Sequence, residues 1–461
     1  MIINTYDVNL PYLKNPAKYA LRNDGHQIIA IQKEGIAVTR LQTLITTGSI
    51  NETYENNGVS HFLEHLLFKG SKNYRPSEID RILEGEGAII NAGTSKDYTQ
   101  YHITLPTQGF SAALKLHFDM LFNATLPDEE IGKGIRPEEK KDKNLDISAH
   151  VTRERAVVIE EIKMGLDNPL SVGQKKLSEL IYKGHPYERT IIGTPEIIGS
   201  INRDEIFDYY KKWYSPPNMI TVIASDLDTQ YTINKVDKAL TFAHENRYAD
   251  SKPLTPPVHH TKNNKRKSYR ETIYKYTTND FLFYGTTIPK AQDIKSAISF
   301  DIASMCLGDG GSSRMTRRLI ENLSDTPFID IMTGSLSGRD NSGFMCLALI
   351  HPNKLSFAEE LFRREIEKLT SIEPITEDEF NRAIIRLKTS FAADSETVER
   401  ISNEVAYSFA VAGNLEYYLN YLKELETINL ETVNEIISTY LQVENFSVVI
   451  ITNKDGEKAN A

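Results

Sequence analysis

His61-Phe62-Leu63-Glu64-His65 is the stretch of the chain best equipped for chemistry. A helix advances about 3.6 residues per turn, so His61 and His65, at i and i+4, stand on one face and can aim ring nitrogens at a single ion. Glu64 lies on the same stripe. Its carboxylate is placed to take a proton from a water at an open coordination position, the division of labour of an H-x-x-E-H metal helix. Val59, Phe62, Leu63, Leu66, Leu67 and Phe68 make this helix apolar nearly all round, with Gly58 before it and Gly70 available to end it. Two imidazoles and a carboxylate in such surroundings need partners, and a metal supplies one partner to all three.

A catalytic zinc keeps three protein ligands and one open position, so a third ligand must come from elsewhere. The segment from Glu154 to Met164 offers it. Glu154 and Glu161 are two helical turns apart and share a face, so one can bind the metal while the other orients a ligating histidine.

Further landmarks surround these residues. Asn57-Gly58-Val59-Ser60 leads into the motif, and Leu67-Phe68-Lys69-Gly70-Ser71 follows it. Asn91-Ala92-Gly93-Thr94-Ser95 stands with Tyr98 and Tyr101; His185-Pro186 precedes Gly193-Thr194; Tyr214-Ser215-Pro216-Pro217-Asn218 comes later. Over nearly its whole length the chain resembles the pitrilysin or insulinase-like zinc metallopeptidases, which include the mitochondrial processing peptidase and carry the inverted zinc motif. The resemblance implies one Zn2+ per chain, held by His61, His65 and Glu161, with Glu64 as catalytic base and Glu154 supporting a ligating histidine. Glu161 is preferred to Glu160 because the family's ligand lies seven residues after the first glutamate of this segment. Asn91, Ala92, Gly93, Thr94 and Ser95 correspond to the edge strand that pairs with a peptide substrate.

Two departures from the family pattern stand out. The interval from His65 to Glu161 is about twenty residues longer than the family usually shows. The charged, aperiodic stretch 132–151 reads as a surface insertion that absorbs the surplus. Members that work alone also carry an arginine and, seven residues on, a tyrosine that grip substrate. Anchored on Gly310-Gly311-Ser312-Ser313-Arg314, those positions fall on Ile320 and Pro327; Arg317 and Arg318 are near, but no tyrosine follows until Tyr407. The resemblance thus implies the zinc-bearing half of a heterodimer, whose inactive homologous partner holds the arginine and tyrosine. A homodimer is the other arrangement.

With 461 residues the chain is long for one core, and two domains are expected. Sixty-three acidic against 53 basic side chains give a net charge of −10, and no basic stripe with interleaved aromatics appears, which argues against a nucleic-acid partner. No apolar run approaches a membrane span. The first 25 residues show neither an apolar signal core nor an arginine-rich transit pattern, and Cys306 and Cys346 are the only cysteines, so a cytoplasmic location with reduced thiols is expected.

Hydrophobic periodicity predicts strands at 26–32, 38–47, 88–92, 98–105 and 220–224, and helices at the zinc motif, 76–84 and 109–123. The proline-rich, then basic stretch 248–268, with His259 and His260, reads as a linker. It divides a zinc-bearing peptidase domain, 1–247, from a non-catalytic domain, 269–461. The second repeats the plan of the first: a helix ending in glycine, a short charged helix, then a strand, so GDGGSS is a turn and not a phosphate cradle. The tail beyond Lys454 reads as disordered. The expected fold is α+β, with two tandem similar domains, each a largely antiparallel sheet with helices on one face, in the manner of processing-peptidase-like metallohydrolases. The expected function is zinc-dependent cleavage of extended peptides. Its rival is a non-enzymatic peptide-binding or scaffolding subunit, a class in which the metal motif is usually broken, whereas here every ligand position is filled.

Overall fold

A computed structural model describes residues 1–132, 153–244 and 267–453. The expected insertion from residue 133 on, most of the expected linker with His259 and His260, and the tail from Lys454 lie outside the described residues.

The first sheet contains β1 (Ile2–Val8), β2 (Ala17–Arg22), β3 (Gln27–Gln32), β4 (Val38–Ile45), β5 (Ile89–Thr94), β6 (Thr99–Pro106) and β7 (Met219–Ser225), in the order β1-β2-β3-β7-β4-β6-β5. β6 buries Thr99, Tyr101, Ile103 and Leu105 in strict alternation, the mark of a strand with one core face. Central β7 is buried at every position. Helices α1 (Val59–Leu67), α2 (Pro76–Gly85) and α3 (Phe110–Phe122) supply the main helical layer. Leu41 and Ile45 of β4 join Phe62, Leu66 and Phe118 in one core, and Thr43 on the same face bonds His117 of α3 at 2.8 Å. The topology leaves β5 at the free edge beside α1.

The second sheet contains β8 (Arg270–Tyr274), β9 (Asp280–Ile288), β10 (Phe328–Leu336), β11 (Ser342–Ile350) and β12 (Ser447–Thr452), in the order β10-β11-β9-β12-β8. This is the order β5-β6-β4-β7-β3 of the first sheet. The pairing senses agree as well: β12 with β8 and β7 with β3 are parallel, and the other pairs are antiparallel. The two halves are one plan used twice, with β1 and β2 added to the first.

The chain nevertheless forms two compact units that do not follow a single cut. The first comprises residues 1–163, 189–257 and 392–415; the second comprises 164–188, 258–391 and 416–461. The division expected at the linker is therefore corrected by an exchange of helices. Helix Val398–Ala412 packs on β4 and β7, on the face opposite α3, where Arg40 approaches Asn403 and Glu399. Helix Pro169–Ile181 packs on β9 and β12, the equivalent strands of the second sheet. There a Cβ on Gly173 would stand 2.1 Å from the Phe283 ring, and one on Gly285 would stand 2.8 Å from Leu177. A glycine inside a helix costs about 1 kcal/mol against alanine, and here close packing on a phenyl ring requires it.

A fragment ending at residue 247 lacks Val398–Ala412 and uncovers the face carrying Ile220 and Val222. Expressed alone it should aggregate or bind a hydrophobic dye, and co-expression with 248–461 should recover both pieces together. A soluble 1–247 fragment with one sharp melting transition would contradict the exchange.

Candidate metal centre

α1 forms because Phe62, Leu63, Leu66 and Leu67 are fully buried along it, and Gly58 at φ 97° turns the chain into its first residue. The histidines stand at the edge of this buried surface. Their ring centroids are 4.7 Å apart, with His61 12% and His65 21% exposed. The helix Arg153–Asp167 brings in the acids. Glu161 Oε2 lies 3.8 Å from His61 Nε2 and 3.6 Å from His65 Nε2, and the three candidate ligand atoms all fall within 4.8 Å of one another. Ligand atoms on a tetrahedral zinc, at bond lengths near 2.0 Å, stand roughly 3.3 Å apart, so this set fits such an ion with a small inward adjustment. Glu160 does not join it. It is exposed and paired with Lys163 at 2.6 Å.

Glu154 sits behind His65. Its Oε1 accepts from His65 Nδ1 at 2.9 Å, and its Oε2 holds the Lys69 ammonium at 2.7 Å. With Nδ1 donating to a carboxylate, the Nε2 lone pair is left facing Glu161. Glu64 is tied from the other side, where Thr94 Oγ1 donates to its Oε2 at 2.6 Å. Beneath it, Tyr101 and Tyr214 share a buried hydrogen bond of 2.8 Å. The two histidines, Glu64, Glu154, Glu161, Lys69 and Thr94 line a cavity of about 570 Å3 together with Phe68, Asn91, Ala92 and Gly93.

Burial, reinforced by the neighbouring His65, holds the His61 pKa down at about 4 and keeps that ring neutral. For His65 burial also acts downward, but the Glu154 hydrogen bond and the charges of Glu64, Glu154 and Glu161 outweigh it, and the pKa is raised. Burial raises the Glu64 carboxyl, an effect that the Thr94 hydrogen bond and His65 oppose and Glu161 augments. Glu154 moves the other way. Burial would raise it, but its bonds to His65 and Lys69 bring it below the usual carboxylate range.

The edge strand is placed as its position in the sheet demands. Asn91, Ala92, Gly93 and Thr94 lie along the cavity on β5, which pairs only with β6 among the described residues. Ala92 N–H meets Asn91 Oδ1 at 2.8 Å, a contact that an incoming strand must displace. Ser95 is not brought there. It lies in the turn after β5, with its N–H on Tyr98 O at 2.7 Å and its carbonyl accepting from Ser49. Sequence reading missed the roles of Lys69 and of the Thr94 hydroxyl, although Lys69 stands only four residues after His65, just past the end of α1.

In the second unit Ile320 packs against the core, and the Pro327 carbonyl accepts from His351 N–H at 2.9 Å. Arg318 is committed to Glu365 and Glu373 at 2.9 and 2.7 Å, while Arg317 is exposed. Cys306 and Cys346 are both buried free thiols.

Residues 27–145 match the family described as Insulinase (Peptidase family M16), and residues 200–387 match the Peptidase M16 inactive domain. The chain belongs to this peptidase family. Among M16 relatives it is 26% identical over 437 residues to an uncharacterised zinc protease, YmxG, of Bacillus subtilis, covering 94% of this chain and 98% of that one. It is 30% identical over 196 residues to the beta subunit of the mitochondrial-processing peptidase of Bos taurus, covering 42% of this chain and 36% of the bovine one. The crystal structure of a protease from Helicobacter pylori has the same fold, with a TM-score of 0.80 at 22% identity over 98% of this chain and 100% of that one.

Glu160 and Glu161 make opposite predictions. Glu161→Gln should weaken zinc binding by about a hundredfold or more, and Glu160→Gln should leave it near wild type. Chelator competition measures both, and equal affinities in the two variants would refute the assignment of Glu161.

Proposed function

We propose that this M16 chain is a zinc-dependent endopeptidase of extended peptides and the zinc-bearing subunit of a pair. The observation that carries this reading is the meeting of His61, His65 and Glu161 beside Glu64, at the end of a free edge strand. Zinc, when bound by those three side chains, supplies Lewis acidity toward the scissile carbonyl and lowers the pKa of a water. The remaining work belongs to the protein. Glu64 takes the proton of the attacking water and returns it to the leaving amine, the two proton transfers that amide hydrolysis requires. Thr94 fixes one oxygen of Glu64 and leaves the other for the water. Glu154 holds the His65 tautomer, and Lys69 keeps Glu154 ionised.

Substrate adds to β5 as a further strand, so backbone hydrogen bonds supply much of its affinity and the peptide must be extended. Folded proteins therefore resist cleavage. The match to an inactive domain falls on residues 200–387, outside the stretch that holds both zinc histidines and Glu161. That favours an enzyme over a scaffold. Ile320 and Pro327 leave the second unit without the substrate grip that the family resemblance leads one to seek there, and the partner supplies it.

Glu64→Gln should retain zinc while turnover falls about a hundred- to ten-thousandfold, because only the base is removed. Thr94→Val should also keep zinc and lower kcat about tenfold, the worth of one hydrogen bond. Loss of metal in Glu64→Gln would make Glu64 a ligand and overturn the assignment of roles.

The isolated chain should turn over an unstructured peptide at least about a hundredfold more slowly than the complete pair, for want of the missing donors. Equal rates for monomer and pair would remove the need for a partner.

A further inference from the structure

α1 carries no side-chain cap of its own, since the residue at its N-terminal boundary is Gly58. Within the first turn Val59 N–H bonds the Asn56 carbonyl at 3.0 Å, and the Gly58 and Ser60 amides are met from a distance by Glu52, whose side chain is buried. Its Oε2 accepts from Gly58 N–H at 2.8 Å and from Asn57 Nδ2 at 2.7 Å, and its Oε1 accepts from Ser60 N–H at 2.9 Å. Burial raises its pKa, and the donors of Ser60, Gly58 and Asn57 oppose that rise.

The groups around Glu52 are themselves anchored. Its backbone carbonyl accepts from Arg189 at 2.7 Å, and the same guanidinium reaches the Ser49 carbonyl at 3.2 Å. Asn57 Nδ2 also bonds the Thr190 carbonyl at 2.8 Å. Gly58 is confined from the other side, where an added Cβ would stand 2.7 Å from the Ile192 carbonyl and 3.0 Å from Gly193 Cα. The Gly193-Thr194 landmark thereby acquires a purpose, as the surface against which α1 begins.

The consequence falls unevenly on the metal site. His61 is the third residue of α1, directly after the Ser60 amide that Glu52 holds, whereas Glu64 and His65 lie farther along, inside the hydrogen-bonded helix. Loss of the cap frays the first turn, so it disturbs His61 before the other two. We infer that Glu52 is a positioning residue for His61: its carboxylate fixes the first turn of α1 and thereby sets the metal affinity of the site. This rests on the reading of His61 as a zinc ligand. Glu52 does not line the cavity and takes no part in the reaction.

Two readouts on Glu52→Gln and Glu52→Ala test the inference. Amide hydrogen exchange on the metal-free protein should show protection at residues 58–61 falling at least about tenfold while residues 65–67 stay within about twofold of wild type. Chelator competition should show the zinc Kd rising about ten- to a hundredfold, less for glutamine, which keeps one oxygen acceptor, than for alanine. Should Glu52→Ala fail to fold, the near-isosteric Glu52→Gln decides. Unchanged zinc affinity in a folded variant, or protection lost evenly along α1 as in a general destabilisation, would overturn the inference. A wild-type chain that takes no zinc would sink the proposed function instead, and the exchange gradient would still decide whether Glu52 holds the first turn.

Discussion

Two imidazoles four residues apart on a largely buried helix impose the constraint around which this molecule is arranged. They can face one ion only if the helix is rigid, and rigidity comes from burying Phe62, Leu63, Leu66 and Leu67 on every side that the cavity does not need. Their lone pairs must then meet an acid carried by another element, because no position on α1 can close the coordination from across the cavity. The helix Arg153–Asp167 answers this with Glu161 in front of the rings and Glu154 behind one of them, two turns apart on one face. Thr94 bonds Glu64, Lys69 bonds the Glu154 that holds His65, and Glu52 bonds the start of the helix that carries both rings.

The second unit shows the same architecture without that constraint. Between β9 and β10, where the first sheet has α1, the chain places helix Ile294–Leu307, which buries Ile298, Phe300, Ile302 and Ala303. Its one inward acid, Asp301, is satisfied by Ser335 and Tyr421 at 2.5 Å each. Fold and candidate site are thus separable in a single chain: the strand order and pairing senses persist while the cluster of two histidines and a glutamate does not. The exchanged helices occupy equivalent strands in the two sheets, so the duplication extends to the face opposite the main helical layer.

Much of the site was legible in the sequence because its signals are local. The four-residue spacing of His61 and His65, the seven-residue spacing of Glu154 and Glu161, and the alternation of β6 each arise within one element. What escaped depends on contacts between elements. β1 was missed because nearly all of it is exposed on an edge strand, so IINTYDV has no buried face to generate a period. Helix Val398–Ala412 was not anticipated, and even the periodicity of its buried residues says that a face is covered and not which sheet covers it. Glu52 lies in an irregular turn, with nothing local to mark it as a cap for residues six and eight positions on. Ser95 was grouped with its neighbours because sequence does not reveal that β5 ends at Thr94 and that the next residue gives its N–H to the turn and its carbonyl to Ser49.

X-ray absorption at the zinc edge tests the central claim most directly, because it reads the ligand set without requiring turnover. With about one zinc per chain, the expected spectrum shows a shell of light N and O atoms near 2.0 Å containing two imidazoles, falling to one in His61→Ala. A sulfur shell at about 2.3 Å, or an imidazole count unchanged by that substitution, would contradict it.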